Sequence, residues 1–278
     1  MSSPQDRNGI ILNDLCNVPS FIVTFSDIVS HGSGMKSFGV HNEGGFKNED
    51  LLKMHSVLKP GTSELHNIKT ILPQTLYDIP DVYVLIMRNY FVNESNNLWN
   101  IFNTIESSNQ NGEITGVQWD DERIHNNKLV KNKLNKKLLF LDLSDSYKHS
   151  ISITENRGTI YNYQKIPALK NLHTIFESTM CGPLQIEGTM YYNTNECYTP
   201  LHQEKEKWKI INLCVGKSIP INFIWFHQTE RVSNPYSILL NHGDLCLISE
   251  FAAGVVKEKQ TRLYLKSSIG YNNKAYEF

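Results

Sequence analysis

Residues 209–227 read KIINLCVGKSIPINFIWFH. This stretch holds two runs of apolar and β-branched residues, 209–215 and 220–227, which are separated by a brief turn. Runs of this length and composition are typical of β-strands that are buried on at least one face. Further runs of the same kind lie on both sides of the stretch, at 184–192, 236–240, 244–249 and 261–266. The last third of the chain is therefore predicted to be a dense series of strands.

The first two thirds of the chain predict a mixture of helices and strands. Strands are indicated at 21–25, 82–87 and 138–143 by their β-branched and aromatic residues. Short helices are indicated at 50–57 and 62–71, whereas the polar residues 106–118 predict a loop.

Two longer helices are expected to pack on these strands. Asn93 or Ser95 can cap the first helix, and its apolar side chains repeat with helical spacing at Leu98, Ile101, Phe102 and Ile105. The second helix is predicted at 167–177, because Pro167 suits a first helical turn. Helices followed by a dense run of strands predict an α+β fold with a jelly-roll core.

The composition limits the classes of function. The chain has 278 residues, 40% of them hydrophobic, and its formal net charge of −1 means that any binding to nucleic acid needs a local basic patch. Its five cysteines form no C-x-x-C pair and are expected to be free thiols. No apolar run approaches the roughly 18 residues that span a bilayer, and the first residues lack a signal-peptide pattern. A soluble, intracellular protein is expected.

The clearest chemical motif is H-x-E, formed by His202 and Glu204 between two predicted strands. In an extended chain, residues i and i+2 point to the same side, so both side chains could bind one metal ion. A second histidine would complete the triad of the non-haem iron oxygenases, which leaves positions open for a co-substrate and oxygen.

The order of segments around this motif resembles the AlkB family of iron- and 2-oxoglutarate-dependent oxygenases. That family has N-x-Y, H-x-D, an S-x-G strand, F-x-F and then L-x-H-G-[DS] followed by a hydrophobic residue. The similar segments here are, in order, Met190-Tyr191-Tyr192, His202-Gln203-Glu204, Ile210-Ile211-Asn212-Leu213, Phe223-Ile224-Trp225-Phe226 and Leu240-Asn241-His242-Gly243-Asp244-Leu245. Less specific segments outside this core are similar to uncharacterised AlkB-like proteins of large DNA viruses. The resemblance implies a double-stranded β-helix with supporting helices.

The resemblance also implies a site. Its iron ligands would include His202 and Glu204, and its 2-oxoglutarate site would include Tyr192 and Arg262. Two departures lie within these motifs: Glu204 is one methylene longer than the family's aspartate, and Met190 replaces the asparagine of N-x-Y.

A third departure concerns the family's second histidine ligand, which lies beyond the H-G-D turn. No histidine follows His242, and the position falls on Lys257 or Ser267, depending on how the loop is aligned. A protonated lysine cannot ligate a metal, and serine is a poor iron ligand. The predicted metal site is therefore incomplete.

The densest basic run lies just before the strand predicted at 138–143. It consists of Lys128, Lys131, Lys133, Lys136 and Lys137. Two interpretations are open: a solvated face beside a strand, or a patch that neutralises the phosphates of a nucleic acid.

The resemblance divides the chain into an extension packed on the core, residues 1–78, and an AlkB-like domain, residues 79–278.

We expect a domain without oxygenase activity that acts as a binding or structural module, on nucleic acid or in a protein assembly, with no membrane partner. The alternative is an active dioxygenase that uses Fe(II) and 2-oxoglutarate on alkylated nucleic acid or a protein side chain. A jelly roll of another class, such as a capsid or cupin-like protein, is the third possibility. A viral member would act in the host cytoplasm or the virion.

Overall fold

The computed structural model describes residues 18–32, 34–41, 44–76, 78–143, 148–180, 182–204, 206–254 and 263–272. In these ranges the protein has a β-rich α+β fold with three α-helices: α1 (Asn48–Val57), α2 (Val92–Asn103) and α3 (Pro167–Met180). Short 3-10 helices lie at Ile68–Ile71, Gln74–Leu76 and Tyr163–Lys165. None of the helices in the described ranges is long and apolar enough to cross a membrane.

The same ranges contain twenty strands. In chain order they are β1 (Ser20–Ser26), β2 (Ile28–Ser30), β3 (Ser37–Gly39), β4 (Ser63–Asn67), β5 (Tyr83–Met87), β6 (Ser107–Ser108), β7 (Ile114–Gly116), β8 (Glu122–His125), β9 (Lys128–Lys131), β10 (Lys136–Leu141), β11 (Lys148–His149), β12 (Ile160–Asn162), β13 (Gln185–Tyr191), β14 (Thr199–His202), β15 (Ile210–Gly216), β16 (Ile219–His227), β17 (Glu230–Arg231), β18 (Tyr236–Leu240), β19 (Leu245–Ile248) and β20 (Leu263–Ile269).

Two sheets contain most of these strands. The larger has nine strands in the order β11-β12-β10-β13-β1-β15-β19-β5-β4. The smaller contains β14, β20, β16 and β17, and β18 also pairs with β16. Paired strands in both sheets are antiparallel, apart from the parallel pair β10 and β12 near one edge of the larger sheet. Three two-stranded ribbons, β2–β3, β6–β7 and β8–β9, complete the described strands.

Side-chain alternation along the larger sheet creates two apolar regions. On β1, Phe21, Val23 and Phe25 pack with the residues of α2 and α3. The intervening Ile22 packs with residues of the smaller sheet, among them the buried Trp225 of β16. Because successive side chains of a strand point to opposite faces, the nine-stranded sheet lies between a helical layer and a second sheet.

The two longer helices form close to where they were predicted. α3 begins at Pro167 as expected. α2 begins at Val92 and ends at Asn103, so Ile105 lies beyond the helix and is 88% exposed. Leu98 is fully buried, as the helical spacing predicted.

Two strands from the described part of residues 1–78 belong to the larger sheet. β1 lies in the middle of the larger sheet, where all seven of its residues pair with both β13 and β15. β4 pairs with β5 at the edge of the same sheet. The expected division after residue 78 therefore does not follow the fold of the described residues.

Two local predictions are corrected. The helix predicted at 62–71 is β4 followed by a 3-10 helix, because pairing with β5 overrides the local preference of this segment. The loop predicted at 106–118 contains β6 and β7.

Candidate functional site

The fold brings the two residues of the H-x-E motif together. β14 ends at His202, whose Cα partner on β20 is Ser267. His202 Nε2 lies 2.7 Å from Glu204 Oε1, and His202 Nδ1 lies 2.8 Å from the carbonyl oxygen of Pro200. Both nitrogens donate to these acceptors only when the imidazole is protonated. Although burial alone lowers the pKa of His202, the Glu204 carboxylate outweighs it and raises that pKa.

A lysine outside every sequence motif completes the surroundings of Glu204. Lys207 Nζ lies 2.8 Å from Glu187 Oε1 and 3.4 Å from Glu204 Oε2. Lys137 Nζ lies 3.6 Å from the same Glu187 oxygen. The side chains of Glu187 and Lys207 are only 5% and 11% exposed. The side chains of Lys137, Glu204 and His202 are 25%, 24% and 38% exposed. We call these five residues the buried charge cluster, after the buried pair Glu187 and Lys207 at its centre.

Mutual attraction shifts the pKa values of Glu187, Glu204 and Lys207 in favour of their charged forms. Burial raises the pKa of a carboxyl group, but the Lys207 ammonium and His202 hold the pKa of Glu204 well below its usual value. Lys137 and Lys207 likewise lower the pKa of Glu187 against the effect of its burial. Burial lowers the pKa of Lys207, but the two carboxylates raise it above its usual value. Each charge therefore depends on the others, and removal of one leaves its partners buried without compensation.

This arrangement does not fit the iron centre that the AlkB resemblance implies. Such a centre needs three protein ligands, but His202 and Glu204 hydrogen-bond to each other and the residue opposite His202 is Ser267. The Lys207 ammonium beside Glu204 would repel a divalent cation. Across the described ranges, no group of three or more His, Cys, Asp or Glu side chains is placed to hold a metal. Lys257 and Arg262 lie outside the described residues.

A small cavity of about 50 Å³ lies between the two sheets, next to the buried charge cluster. Its other polar lining residues are Thr24, Thr189, Tyr191, Thr199, Asn212 and Ser267. The hydroxyl group of Tyr191 lies 2.7 Å from that of Thr199. Tyr192, the tyrosine assigned to 2-oxoglutarate by resemblance, does not line this cavity and donates its hydroxyl to the carbonyl oxygen of Lys133 instead, at 2.8 Å. Because neighbouring side chains of a strand point to opposite sides, Tyr191 lines the cavity and Tyr192 points away from it.

A much larger cleft of about 610 Å³ opens in front of the cluster and shares His202 and Lys137 with the small cavity. The β8–β9 ribbon and the loop after it form one wall, which presents Arg123, Lys131 and Lys133. Clefts of this volume commonly bind small ligands or parts of larger ones.

The charge of the cleft is positive on balance, since four basic side chains line it against the carboxyl groups of Asp120 and Glu122. Both oxygens of Asp120 are used within the fold. They accept hydrogen bonds from the backbone N–H of Thr159 at 2.9 Å and from its hydroxyl group at 2.6 Å. Burial raises the pKa of Asp120, which further reduces its contribution as a free anion.

The five lysines of the basic run fall into two groups. Lys136 pairs with Asp121 and lies over the ring of Tyr192, and Lys137 belongs to the buried charge cluster. The other three are exposed and form no salt bridge within the described residues. With the nearby exposed Arg123 they make a group that we call the ribbon cations: Arg123, Lys128, Lys131 and Lys133.

Sequence reasoning missed two residues of the buried charge cluster. Glu187 carried a usable signal, because it is a charged residue within an otherwise apolar predicted strand. Lys207 carried none, since the segment QEKEKWK around it looks like an ordinary solvated loop.

The chain is similar to an uncharacterized protein of Acanthamoeba polyphaga mimivirus. The two are 25% identical over 253 residues, which cover 89% of this chain and 94% of the viral protein. No protein-family model matches the sequence.

Proposed function

We propose that this protein is a divergent AlkB-like domain that has lost iron-dependent oxygenase activity and acts as a binding module. The observation that carries the proposal is the position of Lys207 Nζ between Glu187 and Glu204. A permanent positive charge there balances the carboxylates that a metal ion would otherwise neutralise. The Glu204 carboxylate raises the pKa of His202 and so favours its protonated form, in which the imidazolium has no lone pair for a metal.

The layered fold supports the double-stranded β-helix in this proposal. Two mainly antiparallel sheets face each other, and the helices cover the outer face of the larger sheet. His202 lies at the boundary between the inter-sheet cavity and the open cleft. In the proposed fold, the reaction centre would open towards the cleft. A ligand bound in the cleft would therefore contact His202.

The alternative function is an active Fe(II)/2-oxoglutarate dioxygenase that oxidises alkylated nucleic acid or a protein side chain. The nearby side chains of His202 and Glu204 favour it. It would require a third ligand and a co-substrate site that the described residues do not supply.

One experiment separates the two functions. Protein purified without oxygen is titrated with Fe(II) by calorimetry, with and without 2-oxoglutarate, and succinate formation is then measured in air. We expect no saturable iron binding and no succinate above that of the His202→Ala variant. Stoichiometric iron and turnover that His202→Ala abolishes, but that the exposed His125→Ala variant retains, would establish the oxygenase instead.

The ribbon cations support a single-stranded nucleic acid as the ligand. Three of them, Arg123, Lys131 and Lys133, line one wall of the cleft, and phosphates satisfy such cations without a specific base sequence. A cleft of about 610 Å³ has the volume of a site for a small ligand, so we expect it to take one nucleotide of a single strand, whose bases are not held inside a duplex. Fluorescence anisotropy with a labelled oligonucleotide should therefore detect binding that weakens steeply with salt. Salt-independent binding, or binding only to a protein partner, would point to an assembly role.

The similarity to a mimivirus protein supports a viral source for the chain. A viral binding module of this kind would act in the host cytoplasm or in the virion.

A further inference from the structure

We propose that Lys207 is a built-in replacement for a metal ion, and that the residues around it form a latent divalent-cation site that opens when its ammonium group is removed. This inference rests on the proposed loss of the iron centre, and it goes further by naming the residue that closes the site.

The fold fixes the position of Lys207 from both sides. Its backbone N–H donates to the carbonyl oxygen of Glu204 at 3.0 Å, which forms a tight turn after the H-x-E motif. The next residue, Trp208, donates its N–H to the buried Asp27 carboxylate at 3.0 Å. The N–H of Glu204 is held by the carbonyl oxygen of Ala253 at 3.1 Å. The lysine side chain is therefore directed inward by a turn anchored at both ends.

The groups around the ammonium have the chemistry of metal ligands. Glu187 Oε1 and Glu204 Oε2 contact Nζ, and His202 Nε2 lies on the other oxygen of Glu204. Metal–oxygen bonds are about 2.0–2.2 Å long, so each carboxylate would have to move about 1 Å towards the position of Nζ. His202 would become a ligand by losing a proton, as metal-binding imidazoles do.

One buried atom shows that the acidic side of this site is not fully satisfied by Lys207. Glu187 Oε2 is buried and has no hydrogen-bond partner, although the residue is only 4% exposed and lines the inter-sheet cavity. A cation in place of the ammonium could bind both oxygens of this carboxylate.

The charge balance favours the same outcome. With Lys207 present, two ammonium groups and His202 offset two carboxylates. Without it, the carboxylates of Glu187 and Glu204 lose the cation that contacts both of them, and Glu187 keeps the more distant Lys137. Lys137 touches Glu187 alone and from a longer distance, 3.6 Å, so its removal should not open the site.

The test uses Co²⁺, whose visible absorption reports nitrogen and oxygen ligands. Wild-type protein, Lys207→Met and the matched control Lys137→Met are titrated with Co²⁺ in the full-length chain. We expect Lys207→Met to bind about one Co²⁺, more than about 100-fold more tightly than either of the others, because the variant lacks the ammonium group that repels a cation from this position. Adding Glu204→Gln to Lys207→Met should abolish the absorption bands.

Two results would overturn the inference. One is a folded Lys207→Met protein that binds no Co²⁺. In that case the latent site is wrong, but the proposed loss of oxygenase activity still holds if the wild-type protein binds no iron. The other is equal Co²⁺ binding by wild type and variant, because Lys207 would then exclude nothing. If Lys207→Met is unfolded without a metal, we expect Co²⁺ to restore the far-ultraviolet circular dichroism of the folded protein, both for Lys207→Met and for the milder Lys207→Gln variant. Failure to do so counts against the latent site.

Discussion

The buried charge cluster and the ribbon cations use the same kinds of side chain in opposite ways. In the cluster, Lys207 lies between two carboxylates and its side chain is 11% exposed. On the ribbon, Lys128, Lys131 and Lys133 are exposed and form no salt bridge within the described residues. The two regions meet at the cleft, where Lys137 and His202 belong to the cluster but also line the opening.

This difference separates stability from binding. Buried ions that compensate each other are costly to disturb one at a time, because no water is present to solvate the charge that remains. Exposed cations without protein partners contribute little to folding and remain available for an external anion. A variant in one region should therefore leave the property of the other region almost unchanged.

The largest expected effect is on stability, from Glu187→Ala. This change removes the acceptor of both Lys207 and Lys137 and should lower the free energy of unfolding by about 3–5 kcal/mol. Urea denaturation followed by circular dichroism measures it. The control is Glu196→Ala at an exposed position, which should change stability by no more than about 0.5 kcal/mol.

A double variant sharpens this result. Glu187→Leu combined with Lys207→Met removes opposite charges together, so it should be less destabilising than the sum of the two single changes. Contacting partners typically couple by about 0.5–3 kcal/mol in such a cycle. Additive single effects would mean that the two side chains do not form a buried pair in solution.

Most of the longer strands of the two sheets could be predicted because their signal is local. The strand predicted at 236–240 coincides with β18. The strand predicted at 209–215 differs from β15 by one residue at each end, and the one predicted at 220–227 differs from β16 by one residue at its start. β15 and β16 are buried on both faces, which requires an apolar composition wherever the strand is placed, whereas β18 buries Ile238 and Leu240 on one face. Ile105 fits the helical spacing but lies outside α2, because spacing alone does not show where a helix ends.

The buried charge cluster could not be predicted in the same way. Its central contact joins Glu187 and Lys207, which are 20 residues apart and lie on different elements. His202 and Glu204 were found because they are neighbours in a motif, but the motif suggested a metal and gave no indication of the lysine beside it. The tertiary structure decides which cation lies beside a given carboxylate. Neighbouring residues in a single sequence do not reveal such a contact.

The second prediction concerns pH and compares two histidines at the cleft. His31 is 6% exposed, accepts a hydrogen bond from the N–H of Gly158 and donates one to the carbonyl oxygen of Thr159. Burial lowers its pKa to about 4, so folding favours the neutral ring. The unfolded chain binds this proton from about pH 6.5 downwards, and stability is therefore lost as the pH falls from about 6.5 to about 4, by up to about 3 kcal/mol.

His202 should act in the opposite direction. The pKa of His202 is raised in the folded protein. Its contribution to the free energy of unfolding is therefore complete below the pKa of the unfolded chain, about 6.5, and is lost as the pH rises through the pKa of the folded protein. Denaturation measured from about pH 4 to about pH 9 should show that His31→Gln flattens the acid side and that His202→Asn flattens the alkaline side. His125→Gln, at an exposed position on β8, is the control and should leave the profile unchanged. Identical profiles for all four proteins would contradict both assignments.

The smallest expected effect on folding, and the most informative one for function, comes from reversing two ribbon cations. Lys131→Glu with Lys133→Glu should change the free energy of unfolding by no more than about 0.5 kcal/mol, because neither side chain has a salt bridge among the described residues. The same variant should bind a labelled single-stranded oligonucleotide more weakly, and the slope of log affinity against log salt should become shallower by about 0.7 for each phosphate that the variant no longer neutralises.

Lys136→Glu is the matched control from the same basic run, since Lys136 is already engaged with Asp121 and Tyr192 and should contribute little to that slope. Each Lys→Glu change shifts the net charge by two units, so the double variant shifts it by twice as much as Lys136→Glu. Equal reductions of log affinity per substitution would therefore mean that the run acts only through its total charge, and the distinction between paired and exposed lysines would have no functional meaning. Unchanged binding in both would place the nucleic acid elsewhere or exclude it as the ligand, and a protein partner would then be the next candidate for the cleft.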